Sequence, residues 1–102
     1  MTLTDDDKQK LKQELVRCLK DEKEILKIVV FGSFIESGQP NDMDVAVFQD
    51  SKQSYLPLAL KYRQRIRSLS RRIPVDIIPI QSGADTGYFL PEVSRGEVIY
   101  ER

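Results

Sequence analysis

Hydrophobic residues in the first part of the chain recur at helical spacing. Leu11, Leu15 and Leu19 lie four residues apart, with mostly polar and charged residues between them. This spacing predicts an amphipathic helix that begins after Thr4, its N-cap, and ends near Asp21. Acidic residues fill the predicted first turn, where the positive end of the helix dipole favours them.

Three later runs have the composition of buried strands. Branched and aromatic apolar residues dominate residues 25–31, 42–48 and 75–80, which predicts three strands that face a core. Only about ten residues join the first two runs, fewer than a parallel crossover needs. We therefore expect these two strands to pair antiparallel within a mixed sheet.

A second long helix is predicted over residues 54–72, and Pro74 ends it. Its predicted apolar side consists of Leu56, Leu60, Ile66, Leu69 and Ile73. One helical turn at 34–37, a short helix over 88–95 and a strand at 98–100 complete the pattern.

The composition supports a single domain that spans residues 1–102. Hydrophobic residues make up 40% of the chain and the formal net charge is zero, so one core can form and bulk charge favours neither nucleic acid nor a membrane. The element order predicts an α/β (α+β) fold, a small mixed β-sheet with helices packed on it. The N-terminus is acidic and no apolar run has transmembrane length, so we expect a cytoplasmic protein.

The residue types available for metal binding narrow the chemistry. The sequence has no histidine and one cysteine, Cys18, which excludes an internal disulfide and disfavours a structural zinc site. A metal site would rest on carboxylate oxygens, which suit hard cations such as Mg²⁺ or Mn²⁺.

Asp42 and Asp44 open the second predicted strand. Because side chains alternate faces along a strand, both carboxylates are expected on one face while Met43 and Val45 face the core. Asp76 lies inside the third apolar run, where a charge is unfavourable unless it is paired or bound to metal. If the third strand lies beside the second, the three carboxylates can bind two divalent cations.

Gly32 and Ser33 end the first predicted strand. A glycine at a strand end lets a ligand approach the backbone closely, and amides at the start of a helical turn together with a hydroxyl can bind an anion. A phosphate seat beside metal-binding carboxylates is the arrangement needed to transfer a phosphorus centre.

Other phosphate and metal motifs fit less well. An EF-hand loop needs glycine at its sixth position, which counted from Asp42 is Val47. The Gly-Lys-Ser/Thr signature of a P-loop is absent from the sequence. Taken alone, an Asp-x-Asp pair or a Gly-Ser pair is common in surface turns, but their order along the chain with Asp76 favours an active site.

Basic residues cluster near the end of the second long helix: Lys61, Arg63, Arg65, Arg67, Arg71 and Arg72. A solvated helix face is the simple interpretation. A docking surface for an acidic partner, RNA or the phosphates of a nucleotide is the alternative. Tyr62 is the only aromatic residue among them, so base stacking is not favoured.

The segments VVFGSFIESG, DMDVAVF and VDIIPI together resemble the minimal nucleotidyltransferase (MNT) family of the DNA polymerase β superfamily. The resemblance covers residues 25–101 and implies a polymerase-β-like nucleotidyltransferase core. It also implies transfer of a nucleoside monophosphate, with AMP as the expected one, from an NTP. It implies that Gly32 and Ser33 hold the triphosphate.

The same resemblance assigns roles to the three aspartates. It implies that Asp42 and Asp44 bind both Mg²⁺ ions of a two-metal site. It implies that Asp76 binds the metal that activates the acceptor oxygen and helps to deprotonate that oxygen.

Small members of this family resemble the antitoxins of modules that pair with a helical HEPN ribonuclease. The resemblance therefore implies a HEPN-type protein as partner and acceptor, with RNA as an alternative acceptor, and it leaves homo-oligomerisation open. Phe34 and Glu36 follow Gly-Ser, where members often carry a basic residue. A second hypothesis is therefore a weakly active or inactive module that neutralises or docks a partner protein, and a third is an α/β domain without a nucleotide site.

Overall fold

A computed structural model describes residues 3–83 and 90–102. The first helix begins as its sequence predicts, because Thr4 Oγ1 accepts a hydrogen bond from the Asp7 amide and Asp7 Oδ2 accepts one from the Thr4 amide, each 3.0 Å long. The helices and strands are α1 (Asp5–Leu19), β1 (Ile25–Phe31), α2 (Ser33–Glu36), β2 (Met43–Gln49), α3 (Tyr55–Arg65), α4 (Arg67–Ser70), β3 (Val75–Gln81), α5 (Leu90–Ser94) and β4 (Glu97–Glu101).

The four strands form one mixed sheet in the order β3-β2-β1-β4. As predicted, β1 and β2 pair antiparallel, while β2 and β3 pair parallel. The parallel pairing follows from the crossover through α3 and α4, which returns the chain to the same end of the sheet. This topology brings the first residues of β2 and β3 together at one end of the sheet.

Both faces of the sheet carry apolar side chains. The larger core lies between one face and α1, α3 and α4, and includes Leu15, Val45, Val47, Leu58 and Tyr62. The smaller core lies on the opposite face, where Val29, Phe31, Ala46 and Ile80 pack with Val93 of α5. This division confirms the predicted alternation along β2.

The second long helix differs from its prediction in two ways. It is not continuous, because Ile66 leaves helical geometry at φ −101° and ψ 20° and separates α3 from α4. The predicted apolar side is also wrong for Leu56 and Leu60, which are exposed, whereas Leu58 and Tyr62 are buried.

The inward row of α3 has a physical reason. Leu58 and Tyr62 continue at four-residue spacing to Ile66, which is also buried, whereas the same spacing leads from Leu56 and Leu60 to the polar Gln64. The Tyr62 hydroxyl donates a 2.9 Å hydrogen bond to Glu24 Oε2, which allows the large ring to be buried without an unsatisfied polar group.

Several element boundaries shift by one to a few residues. The first helix ends at Leu19 rather than near Asp21. The predicted turn at 34–37 lies at Ser33–Glu36 and the terminal strand is Glu97–Glu101. The predicted short helix over 88–95 is Leu90–Ser94, and the first two predicted positions lie outside the described residues.

Membrane insertion receives no support from the helices that the structure describes, because none is both long and apolar enough to cross a bilayer.

Candidate active site

Three carboxylates meet where β2 and β3 begin. The parallel register places Asp44 directly beside Asp76, and Asp42 immediately precedes β2. One oxygen from each of the three residues lies within 4.8 Å of the others. We call Asp42, Asp44 and Asp76 the acidic trio. The expectation that Asp76 joins the other two aspartates is thus met by the geometry.

The strand pattern explains why these side chains avoid the larger core. Met43 and Val45 are fully buried in that core, so the intervening Asp44 points to the opposite face. Asp42 and Asp44 are half-buried and Asp76 is exposed. The trio therefore lies at a solvent-accessible end of the sheet, where an incoming ligand can reach it.

Gly32 lies directly against the trio. Its backbone has φ 75° and ψ −149°, a conformation that residues with a side chain rarely adopt. A Cβ atom at this position would stand 2.7 Å from Asp44 Oδ2, closer than van der Waals contact allows. Glycine is favoured here mainly by this backbone conformation, because Asp44 could turn its carboxylate away from an added Cβ, and the group that approaches its backbone is the Asp44 carboxylate.

Ser33 links the turn to the trio. It begins α2 and its side chain is exposed, with Oγ 3.4 Å from Asp42 Oδ1. The Gly32 carbonyl accepts hydrogen bonds from the amides of Ile35 and Glu36, which closes the single turn of α2. The amides of the first residues of α2 have no carbonyl partner within this turn. The Gly-Ser turn and the acidic trio thus form one continuous site.

The residues that follow Ser33 point in different directions. Phe34 is fully buried in the larger core, and Lys8 Nζ lies 5.6 Å from the centre of its ring. Glu36 is exposed to solvent. Phe34 therefore does not fill the space beside Ser33, but α2 also supplies no basic side chain there.

Like charges dominate the electrostatics of the trio. Burial raises the pKa of Asp44 above its ordinary value. The negative charges of Asp42, Asp76 and Glu92 raise this pKa further. Within residues 3–83 and 90–102, no lysine or arginine forms an ion pair with a member of the trio. Three close, uncompensated carboxylates are a ligand set that fits hard divalent cations.

Glu92 is a neighbour of the site that sequence reasoning missed. It lies in α5 beside Val93, which packs into the smaller core on the face that carries Asp44. Its influence on Asp44 depends on how α5 docks onto the sheet. No local pattern in the sequence encodes that docking. The apolar Val93 next to Glu92 is the signal that this short helix packs on the sheet.

The predicted basic cluster separates into two groups. Lys61 Nζ lies 2.8 Å from Glu22 Oε2 and 3.0 Å from Glu24 Oε2, and Arg65 Nη2 lies 2.6 Å from Glu22 Oε1. The arginine is not aligned for a hydrogen bond, so Glu22 Oε1 has no hydrogen-bond donor among the described residues. Together with Tyr62, these residues form what we call the paired cluster: Glu22, Glu24, Lys61, Tyr62 and Arg65.

The remaining basic residues are divided as well. Arg72 forms an ion pair with Glu14 of α1. Arg63, Arg67 and Arg71 are exposed and have no carboxylate within ion-pair distance in the described part of the chain. Lys61, Arg65 and Arg72 therefore contact the protein's own acids, although Arg65 and Arg72 also stay exposed to solvent.

Comparison with protein families identifies one match that spans most of the chain. A family model described as Polymerase beta, Nucleotidyltransferase matches residues 13–102, which include both strands of the acidic trio and the Gly-Ser turn. No curated protein matches the sequence significantly.

Solved structures contain chains of the same fold. A chain from a tri-AMPylated Shewanella oneidensis HEPN toxin in complex with MNT antitoxin is 20% identical, with 93% of this chain and 73% of that chain covered and a TM-score of 0.68. A chain from a toxin-antitoxin with AMP-PNP is 20% identical, with 89% and 73% covered and a TM-score of 0.69. A chain from the toxin-antitoxin MntA-HepT is 19% identical, with 92% and 73% covered and a TM-score of 0.66. These likenesses establish a shared fold.

Proposed function

The chain belongs to the polymerase beta nucleotidyltransferase family, and we propose that it transfers AMP from ATP to a hydroxyl group of a partner protein. The observation that carries this proposal is the acidic trio, whose oxygens converge within 4.8 Å beside the Gly-Ser turn. Family membership alone does not establish activity, because one fold can host several functions.

The residues of the site have distinct proposed roles. Asp42 and Asp44 would hold the two divalent cations, Mg²⁺ or Mn²⁺, that accompany the NTP. Asp76, the most exposed member of the trio, would also hold a cation and would receive the proton of the acceptor hydroxyl. The backbone amides at Gly32 and Ser33, with the Ser33 hydroxyl, bind the triphosphate.

The reaction is an in-line displacement at the α-phosphorus. The acceptor oxygen forms a bond to that phosphorus as its bond to the bridging oxygen of pyrophosphate breaks, and the acceptor proton passes to Asp76 or to water. When bound, divalent cations supply charge stabilisation for the attacking and leaving oxygens. The chain itself contributes the fixed positions of the carboxylates and of the turn that orients the triphosphate.

The nature of the partner is proposed from the structural neighbours. Two of the matched structures are complexes named for a HEPN toxin with MNT antitoxin and for MntA-HepT. We propose a HEPN-type protein as the acceptor of AMP for this chain. RNA is the alternative acceptor, and RNA added to the transfer assay tests it.

The test is a transfer assay with ATP labelled at the α-phosphate, Mg²⁺ and a co-expressed HEPN-type protein from the same genome. We expect label on the partner protein with wild type and none when ATP carries the label at its γ-phosphate, because pyrophosphate leaves. Asp44→Asn should abolish transfer. Asp50→Asn, which removes an exposed carboxylate beyond the other end of β2, serves as the matched control and should leave transfer intact.

Two outcomes would overturn this proposal. Equal labelling by wild type and Asp44→Asn would place the chemistry elsewhere. Label on added RNA but not on protein would replace the proposed acceptor.

A second candidate function is a partner-binding module that does not transfer a nucleotide. The observation in its favour is the absence of a basic side chain in α2, so the proposed phosphate seat rests on amides and one hydroxyl. This candidate predicts that the chain still inhibits its partner after both Asp42→Ala and Asp44→Ala. Loss of inhibition in that double variant, if it folds, would exclude it.

A further inference from the structure

One flank of α3 carries exposed leucines. Leu56 and Leu60 are 67% and 56% exposed, the two largest values among the exposed large hydrophobic residues that the structure describes. Their spacing of four, followed by Arg63 three residues later, places all three side chains on one side of the helix. We call Leu56, Leu60 and Arg63 the α3 outer stripe.

The outer stripe is separate from the surfaces of α3 that the fold uses. The inward side of the helix is Leu58, Ala59 and Tyr62, each at most 1% exposed. The other flank carries Lys61 and Arg65, which contact the carboxylates of the paired cluster. The outer stripe thus faces away from both of these surfaces, and it includes the two most exposed of the large hydrophobic side chains that the structure describes.

Charge next to the leucines is positive and uncompensated. Arg63 belongs to the stripe, and Arg67 and Arg71 follow it in and after α4. All three are exposed, with no carboxylate of the described residues within 4 Å. By contrast, the neighbouring Arg72 forms an ion pair with Glu14. Arg72 therefore contacts another part of the fold, whereas Arg63, Arg67 and Arg71 face outward.

We propose that the α3 outer stripe docks an acidic amphipathic helix of a partner protein. The two leucines would form the apolar centre of the contact, and Arg63 with Arg67 would form a charged rim that meets carboxylates of the partner. A helix is the element that fits, because a convex helical surface packs its rows of side chains into the grooves of another helix. Strand addition needs a free sheet edge, and α3 has none.

Two other occupants fit the stripe less well. A second copy of this chain related by a two-fold axis would bring Arg63 and Arg67 close to their own symmetry mates, so like charges would oppose each other. Nucleic acid would match the arginines but not the leucines, and the aromatic residue within the basic cluster, Tyr62, is fully buried and offers no stacking surface.

Docking on this stripe goes beyond the proposed nucleotidyl transfer and does not depend on it. The inward side chains of α3 pack against the larger core, whereas Asp44 points to the opposite face of the sheet. A partner could therefore be held by the stripe whether or not the acidic trio is active.

The test uses two synthetic amphipathic peptides of about 20 residues, long enough for several helical turns. One has leucines spaced by four with glutamates at the flanking positions, and the other has lysines in place of the glutamates. Chemical-shift changes in the isotope-labelled full chain locate and quantify binding at low and high salt. We expect the acidic peptide to shift residues of α3 and α4, at least tenfold more tightly than the basic peptide, with affinity falling as salt rises.

Variants make the result specific to the stripe. Leu56→Ser with Leu60→Ser should weaken the acidic peptide at least tenfold, and Arg63→Glu with Arg67→Glu should reverse the preference between the two peptides. Because these positions are exposed, thermal unfolding should change little. Lys10→Glu with Lys20→Glu, at exposed basic positions in and just after α1, is the matched control and should bind as wild type does.

Three results would overturn the proposal. The first is no shift in α3 with either peptide at millimolar concentration. The second is equal binding of both peptides, which would indicate unspecific apolar contact. The third is a shift of the stripe on raising the concentration of the chain alone, with a dimer in sedimentation, which would assign the surface to a second copy.

Discussion

Two groups of carboxylates in this chain have opposite surroundings. In the paired cluster, Lys61 and Arg65 of α3 neutralise Glu22 and Glu24, which are largely withdrawn from solvent. In the acidic trio, three carboxylates converge with no cation from the described residues beside them. One chain therefore contains both a group of carboxylates that is paired with cations and a group of carboxylates that is not.

The pKa values follow this difference. Burial raises the pKa of Glu24, but hydrogen bonds from Lys61, from its own backbone amide and from Tyr62 outweigh burial and hold the pKa below its ordinary value. For Asp44, burial and neighbouring carboxylates both raise the pKa. The charged form of Glu24 is thus stabilised by groups within the chain, whereas the charged form of Asp44 is not, a difference that the proposed cation-binding role of Asp44 explains.

The largest expected effect is on the transfer reaction. Asp76→Asn removes the carboxylate that we assign to the acceptor side, and we expect the transfer rate to fall by about 10²–10³-fold or more, as when other preorganised charge-stabilising groups are removed. Binding of Mg²⁺ and ATP should be largely kept, whereas Asp44→Asn should lose both binding and transfer. Calorimetry with a non-hydrolysable ATP analogue, run beside the transfer assay, separates the two effects.

If Asp76→Asn and Asp44→Asn lose nucleotide binding equally, the distinction between the two positions is wrong. If neither variant changes transfer, the acidic trio has no catalytic role.

The next effect is on stability and concerns the paired cluster. Lys61→Met leaves Glu24 without its cation and Glu22 with only the poorly aligned Arg65, and we expect a loss of about 2–3 kcal/mol in the free energy of unfolding. Arg63→Met, on the outer flank of the same helix, should change it by no more than about 0.5 kcal/mol. Chemical denaturation of both variants at neutral pH measures the contrast. Equal effects would contradict the assignment of the paired cluster to the fold.

A smaller effect is expected for Tyr62→Phe. It removes one hydrogen bond to Glu24 and should cost about 1–2 kcal/mol at neutral pH. Because the folded-state pKa of Glu24 is lowered, its contribution is fully present above the ordinary value of 4.5 and is lost as pH falls through the folded-state pKa. The difference between Tyr62→Phe and wild type should therefore narrow as the pH falls below 4.5.

Denaturation of both proteins across this pH range checks the prediction. A difference that stays constant down to low pH would show that Tyr62 acts through packing alone.

The smallest effect has the opposite sign. In the absence of metal, Asp44→Asn relieves repulsion within the acidic trio and should raise the free energy of unfolding by at most about 1 kcal/mol. Asp50→Asn provides the control outside the trio. A clear loss of stability in metal-free Asp44→Asn would contradict the view that the trio is uncompensated.

Local patterns allowed much of this structure to be predicted. The run of branched residues gives β1 to the residue and β2 to within one residue, because a buried strand needs a continuous apolar segment. The position of Asp76 in its strand indicated a ligand group, and the parallel register of β2 and β3 then places it beside Asp44.

What could not be predicted depends on contacts between distant segments. The burial of Tyr62 is one example, because its hydroxyl is satisfied by Glu24, which lies 38 positions earlier in the chain. In the same way, the close approach of the Asp44 carboxylate to Gly32 depends on the pairing of β1 with β2.

The most direct test of the central claim, that the acidic trio is an incomplete metal and nucleotide site, is thermal unfolding with Mg²⁺ and ATP. At concentrations about 100-fold above the dissociation constant, binding to the folded state adds about 2.7 kcal/mol, which for a domain of this size raises Tm by roughly 10–20 °C. We predict such a rise for wild type and none for the Asp42→Asn, Asp44→Asn double variant. No rise in wild type at millimolar Mg²⁺ and NTP, or the same rise in both proteins, would contradict the account.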